Sequence, residues 1–243
     1  MIKRFIIICI LPLNICTSCH SDSVKAPGHV VLAPEKKISL PKETLAAIPQ
    51  QRITVEFIGY NDDGDYELFN ARKGSENYSF VNAANEKRTL LRGDLVELTW
   101  QKDTIYMAGD GDLPQEAKRI VSATKVKDGK VSEFRKGYQK ELKYYTVEAD
   151  KYSKSYLDKL YLIVEYYVAN SQNELLKLQI KNRNDLSYSI EAQTRADKEY
   201  TMIGIATAFE HKTNVVQWLY FDSTSDLLYE YDLPNDQLIK FDK

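Results

Sequence analysis

The sequence predicts an α+β, β-rich protein whose first folded half is a small closed barrel or a sandwich and whose second half packs helices on an antiparallel meander. Three observations lead there. Between residues 51 and 130, short runs alternating apolar and polar residues recur between Gly- and Asp-containing turns. From 131 to 182 the apolar residues fall at helical spacing. After 186 the short strand-like runs return.

In the first of these regions, Ile53, Val55 and Phe57 alternate with Thr54, Glu56 and Ile58, and the run ends at Asp63-Gly64, the strongest short hairpin signal in the chain. "ENYSFVNA" follows. "LLRGDLVELTWQKDTIYMAG" then has strand character on both sides of Lys102-Asp103, and "RIVSATKV" ends at Asp128-Gly129. The sheet order and the opening of "RGDLVEL" after a Gly turn resemble an OB-fold barrel spanning residues 51 to 130. Such barrels host many ligands, so the resemblance implies an architecture and no particular function.

The second region opens with Phe134, Tyr138 and Leu142 four residues apart. Ser155-Tyr-Leu-Asp158 fits a capping box ahead of Leu157, Leu160, Tyr161, Val164 and Val168, which share one helical face. The pattern predicts a helix over about 155–169 and a shorter one over 173–182. "LSYSIEAQT", "EYTMIGIATAFE", "VVQWLYFD" and "LLYEYD" then read as strands, with turns at 211–214, 223–226 and 234–236.

The start of the chain has a different character. Met1-Ile-Lys-Arg is cationic, Phe5 to Ile15 is an apolar run interrupted by Pro12 and Asn14, and Thr17-Ser18 are small residues before Cys19. That is the layout of a secretory signal over residues 1–18, and the run is about half the roughly 20 residues a membrane-spanning helix needs. Small residues directly before a cysteine resemble the lipobox of bacterial lipoproteins. The resemblance implies cleavage ahead of Cys19 and lipidation of that residue, so that a membrane becomes a partner through the lipid; a cut before Cys16 is the alternative. His20 stands where the lipoprotein pattern places the Asp of inner-membrane retention, which implies an outer-membrane address. Residues 19–50 carry Pro27, Pro34, Pro41 and Pro49 among Ser, Lys and Glu, the composition of an extended tether.

Removing residues 1–18 leaves Cys19 as the only cysteine, which excludes a disulfide framework, a Cys-based metal site and a cysteine nucleophile in residues 51–243. It also takes Lys3 and Arg4, leaving 31 Lys+Arg against 35 Asp+Glu, a formal charge of −4. With acidic residues crowding the barrel's turns, nucleic acid is not expected as a partner. No G-x-S-x-G elbow is present, and His211 is the only histidine outside the tether, which reads as a solvated turn residue. No cofactor is expected. Asp62, Asp63 and Asp65 share one turn and Asp110 and Asp112 another, giving Ca²⁺ candidates without EF-hand spacing.

Tyrosine is the compositional oddity, at 17 residues against 8 Phe and 2 Trp. Half-buried strand faces account for tyrosine, and so do recognition surfaces. Tyr166, Tyr167, Tyr229 and Tyr231 are the candidate partner-binding residues. The expected function is that of a non-enzymatic envelope lipoprotein binding another protein or a glycan, as an inhibitor, an immunity protein or an assembly component. The alternative is an envelope hydrolase acting on polysaccharide or peptidoglycan through a pair of carboxylates.

Overall fold

The computed structural model describes residues 48–243 except 84, 110, 112, 148, 210, 211 and 243. Cys19, the signal, the tether to residue 47, Asp110, Asp112 and His211 lie outside the described residues.

Strands β1 (Gln50–Asn61), β2 (Leu68–Lys73), β3 (Glu76–Val81), β4 (Leu95–Tyr106) and β5 (Pro114–Lys127) close a five-stranded, OB-like barrel in the order β1-β2-β3-β5-β4. All its pairings are antiparallel except β3 with β5, which meet in parallel at Val81 and Arg119. Alternation does the sorting: Val55 and Phe57 from β1, Phe69 and Ala71 from β2, Phe80 from β3, Val96, Leu98 and Trp100 from β4 and Ile120 from β5 fill the interior.

Two local expectations change. Asn61 pairs with Leu68, so Asp63-Gly64 belongs to a six-residue loop over 62–67, and the tight turn of this sheet is at Gly74-Ser75. Lys102 and Asp103 interrupt nothing. Each pairs diagonally across the ladder with an opposite charge, Lys102 with Glu116 at 2.8 Å and Asp103 with Arg119, and β4 runs through them as one strand.

Helix α1 (Lys130–Tyr138), strand β6 (Lys143–Tyr145) and helices α2 (Lys154–Asn170) and α3 (Glu174–Lys181) follow, and then β7 (Leu186–Arg195), β8 (Lys198–Phe209), β9 (Lys212–Asp222), β10 (Leu227–Asp232) and β11 (Gln237–Lys240). The second sheet has the order β11-β10-β9-β8-β7-β6, an antiparallel meander with β6 added in parallel at the β7 edge. Residues Ile203, Ile205, Leu219 and Phe221 of this sheet form one core with Leu160, Val164, Tyr167 and Leu176 of the helices. The helix predicted from Ser155 starts slightly earlier. Ser153, in extended conformation, is the N-cap and accepts the Tyr156 N–H at 3.2 Å, which leaves Ser155 inside the first turn. Asn173 caps α3 by accepting two N–H groups, of Leu175 and Leu176.

A buried carboxylate joins the barrel to α1. Asp94, at the start of β4, has a fully buried side chain that accepts the Gly129 N–H at 2.8 Å, the Ser132 hydroxyl at 2.6 Å and the Leu91 N–H at 3.0 Å. It thereby takes up the backbone N–H of Gly129, the N-cap residue of α1, which has no side-chain cap of its own. Gly129 is needed for space: a Cβ there would lie 2.2 Å from the Gly93 carbonyl carbon. A second clamp, between α1 and α2, is the bidentate pair of Arg135 with Glu165, at 2.6 and 2.8 Å.

Candidate functional site

The helices cover one face of the second sheet. On the other, cross-strand pairing aligns Met202 with Tyr220 and Tyr220 with Tyr229, and Gly204 with Trp218. The Trp218 indole lies across Gly204, where a Cβ would meet it at 2.5 Å, so only glycine lets the ring settle against the strand. Tyr200, Tyr220, Tyr229 and Tyr231 pack by their edges: Tyr200 is 5.7 Å from Tyr220 and 6.2 Å from Tyr229, and Tyr220 is 5.6 Å from Tyr231.

The sheet curls over this cluster. Arg195 ends β7 and Asp236 lies in the β10–β11 turn, yet they pair at 2.7 Å, although β7 and β10 would stand roughly 14 Å apart in a flat sheet. Arg195 also lies 5.3 Å from the centre of the Tyr231 ring, and the Tyr231 hydroxyl donates to Asp236 at 2.8 Å. That hydrogen bond, with burial behind it, raises the Tyr231 phenol, while Tyr231 and Arg195 together hold the Asp236 carboxyl low. At the same end Lys198 lies 5.4 Å from the centre of the Tyr200 ring and pairs with Asp222. Lys198 and then Ser225 bring the Asp222 carboxyl down to about 2. The hydroxyls of Tyr200, Tyr220 and Tyr229 bond to none of the described residues.

Beside the cluster the sheet forks. Pairing of β10 with β9 stops at Glu230 and Leu219, and a bulge at Ile205/Ala206 displaces Val216. The Gln217 side chain fills the gap, donating to the Trp218 carbonyl at 2.9 Å and the Tyr231 carbonyl at 3.1 Å and accepting from Asn173 at 3.0 Å. A groove of about 440 Å³ opens there. Val215, Trp218, Glu230, Asp232, Leu233 and Ile239 line it, and no basic side chain of the described residues does.

The structure separates the four tyrosines singled out from the sequence. Tyr229 and Tyr231 are in the curled cluster. Tyr167 is fully buried, donates to Glu230 at 2.8 Å and accepts from Ser171 at 3.0 Å, so it serves packing between α2 and β10. Tyr166 is 7% exposed and lies under the Arg92 guanidinium, 4.0 Å from its ring centre, at the cleft between barrel and helices. Tyr200, Tyr220 and Trp218 were missed. Their signal is the register across three strands, which single-strand alternation does not contain.

The turn aspartates do not converge on one point. Asp62 gives both oxygens to Arg88 at 2.7 Å, Asp65 accepts the Ala108 N–H at 2.6 Å and Asp63 faces solvent. Among the described residues no three His, Cys, Asp or Glu side chains are grouped to hold a metal ion. Each displaced carboxyl among the described residues is displaced downward: Asp62, Asp94, Asp103, Asp128, Asp185, Asp222 and Asp236.

Neutralised acids also change the barrel's surface. Arg88 takes Asp62 and Glu67, and Arg119 takes Asp103, while Lys118 lies 5.1 Å from the Tyr78 ring centre and 5.4 Å from that of Trp100.

No family model matches the chain, and no curated protein matches it. Twenty chains of solved structures do. One is an aspartyl tRNA synthetase from Entamoeba histolytica, 10% identical with a TM-score of 0.26, the match covering 68% of this chain and 48% of that one. Another is a putative aspartyl-tRNA synthetase from Leishmania major Friedlin, 7% identical with a TM-score of 0.25, covering 66% and 44%. This chain thus spans about half the length of those proteins. TM-scores this low assign no ligand to the chain, but the expectation that nucleic acid is not a partner is corrected: the matched proteins are tRNA synthetases, and an exclusion based on composition is withdrawn.

Proposed function

We propose that this is an envelope lipoprotein, anchored in the outer membrane by a lipid on Cys19, that binds a protein or glycan partner without transforming it. The curled tyrosine face carries the reading. Tyr200, Tyr220 and Tyr229 hold apolar rings in place by mutual contact while their hydroxyls bond to no described residue, which suits a recognition surface fixed before binding. The cationic start, the short apolar run and Thr17-Ser18 before Cys19 support the anchor.

Capture of a stoichiometric partner from native envelope by the lipidated protein tests the role. Capture is expected to be lost in Tyr200→Ala/Tyr229→Ala and kept in Tyr167→Phe; capture indifferent to the double substitution contradicts it. Labelling with a fatty-acid analogue tests the anchor: Cys19→Ser loses label and Cys16→Ser keeps it, and the reverse pattern moves the lipid to Cys16.

A further inference from the structure

We propose that the fork between β9 and β10 receives the cationic side chain of a lysine or arginine on a protein partner. This rests on the binding role above and chooses a protein over a glycan. The charged side chains lining the fork are both carboxylates, Glu230 and Asp232, and neither has an ion pair among the described residues. Among the described residues the Glu230 carboxylate accepts from the Tyr167 hydroxyl alone and that of Asp232 from the Asn235 amide alone. The two amide donors on Gln217 are consumed by the Trp218 and Tyr231 carbonyls, so the charged groups an occupant meets are acceptors.

The remaining walls select among donors. Val215, Leu233 and Ile239 are 40%, 67% and 49% exposed, large apolar side chains that converge on this one groove, and Trp218 adds an indole. A lysine or arginine matches that order of surfaces: an aliphatic stem against the apolar walls, a charged head against carboxylate and indole. An anionic group meets two unpaired carboxylates and is repelled. A neutral sugar leaves both charges uncompensated where the walls are apolar. The volume of about 440 Å³ lies within the range of small-ligand sites and exceeds what one such side chain needs, leaving room for the backbone that carries it.

The test titrates the purified protein with the acetylated, amidated tripeptide Gly-Arg-Gly and its Lys, Gln and Glu counterparts, following tryptophan emission and using Trp218→Phe to assign the signal to the fork. The Arg and Lys peptides are expected to give a saturable change that weakens with added salt, and the Gln and Glu peptides to bind at least about tenfold less well. Asp232→Asn and Glu230→Gln are each expected to weaken the Arg peptide about tenfold. If Glu230→Gln fails to fold because Tyr167 exchanges a carboxylate acceptor for a weaker amide oxygen, Asp232→Asn, whose side chain bonds to Asn235 of the turn, carries the decision. Equal binding of the Gln peptide, no binding of any peptide, or full binding by Asp232→Asn overturns the proposal. Envelope capture that still depends on Tyr200 and Tyr229 in that event leaves the binding role standing and removes only the fork's assignment.

Discussion

The barrel and the second sheet solve the same problem in opposite ways. The barrel closes on itself, so its strands have no free edge and its large aromatics, Phe57, Phe69, Phe80 and Trp100, are enclosed. The second sheet stays open. Helices bury one face, and the other buries itself only in part, by curling until Arg195 reaches Asp236 over four packed tyrosines. Closure spends aromatic rings on stability, whereas the curl leaves phenol hydroxyls and a forked edge at the surface. That difference puts the candidate binding surface on the sheet.

The joint between the two regions is the most sensitive place to perturb. Asp94→Ala strands the Gly129 N–H, the Leu91 N–H and Ser132, and thermal unfolding is expected to show a loss of about 3 kcal/mol. The lowered carboxyl of Asp94, where hydrogen bonds outweigh burial, ties this joint to its charged form. Gly204→Ala attacks the aromatic face alone. The added methyl displaces Trp218 at a cost of about 2 kcal/mol, with a shift in tryptophan emission while the barrel's enclosed Trp100 stays as it was. Tyr167→Phe removes a hydroxyl from the sheet's helical side and is expected to cost about 1 kcal/mol without touching the curled face. A smaller effect follows from pH. The folded Asp222 carboxyl lies at about 2, below its ordinary 3.8, so its contribution is present above about pH 4 and is lost as pH falls toward 2. Asp222→Asn should flatten acid unfolding over that window.

Much of the fold is legible because its causes are local. Ile53, Val55 and Phe57 announce a strand by alternation, and Leu160, Val164 and Val168 a helix by period. What was illegible depends on residues far apart in the chain. Gly129 reads as a turn former, but its small size matters because Gly93 crosses it. Asp63-Gly64 is a good turn dipeptide that β1 and β2 do not use, since their register leaves six residues between them. The Ala196-Asp197 turn has positive φ at both residues, 48° and 60°, with no glycine to signal it. Likewise Tyr229 and Tyr231 stand out as a cluster in sequence, while Tyr200, 29 residues before Tyr229, joins them only through the order of three strands.

The central claim is that the curled tyrosine face, and not the enclosed aromatics, meets the partner. Quantitative capture from native envelope by Tyr200→Ala/Tyr229→Ala, with Tyr167→Phe as the folded control, tests it most directly. The double variant is expected to stay folded and to capture nothing while the control captures as the parent does. Capture by the double variant equal to that of the parent would contradict it.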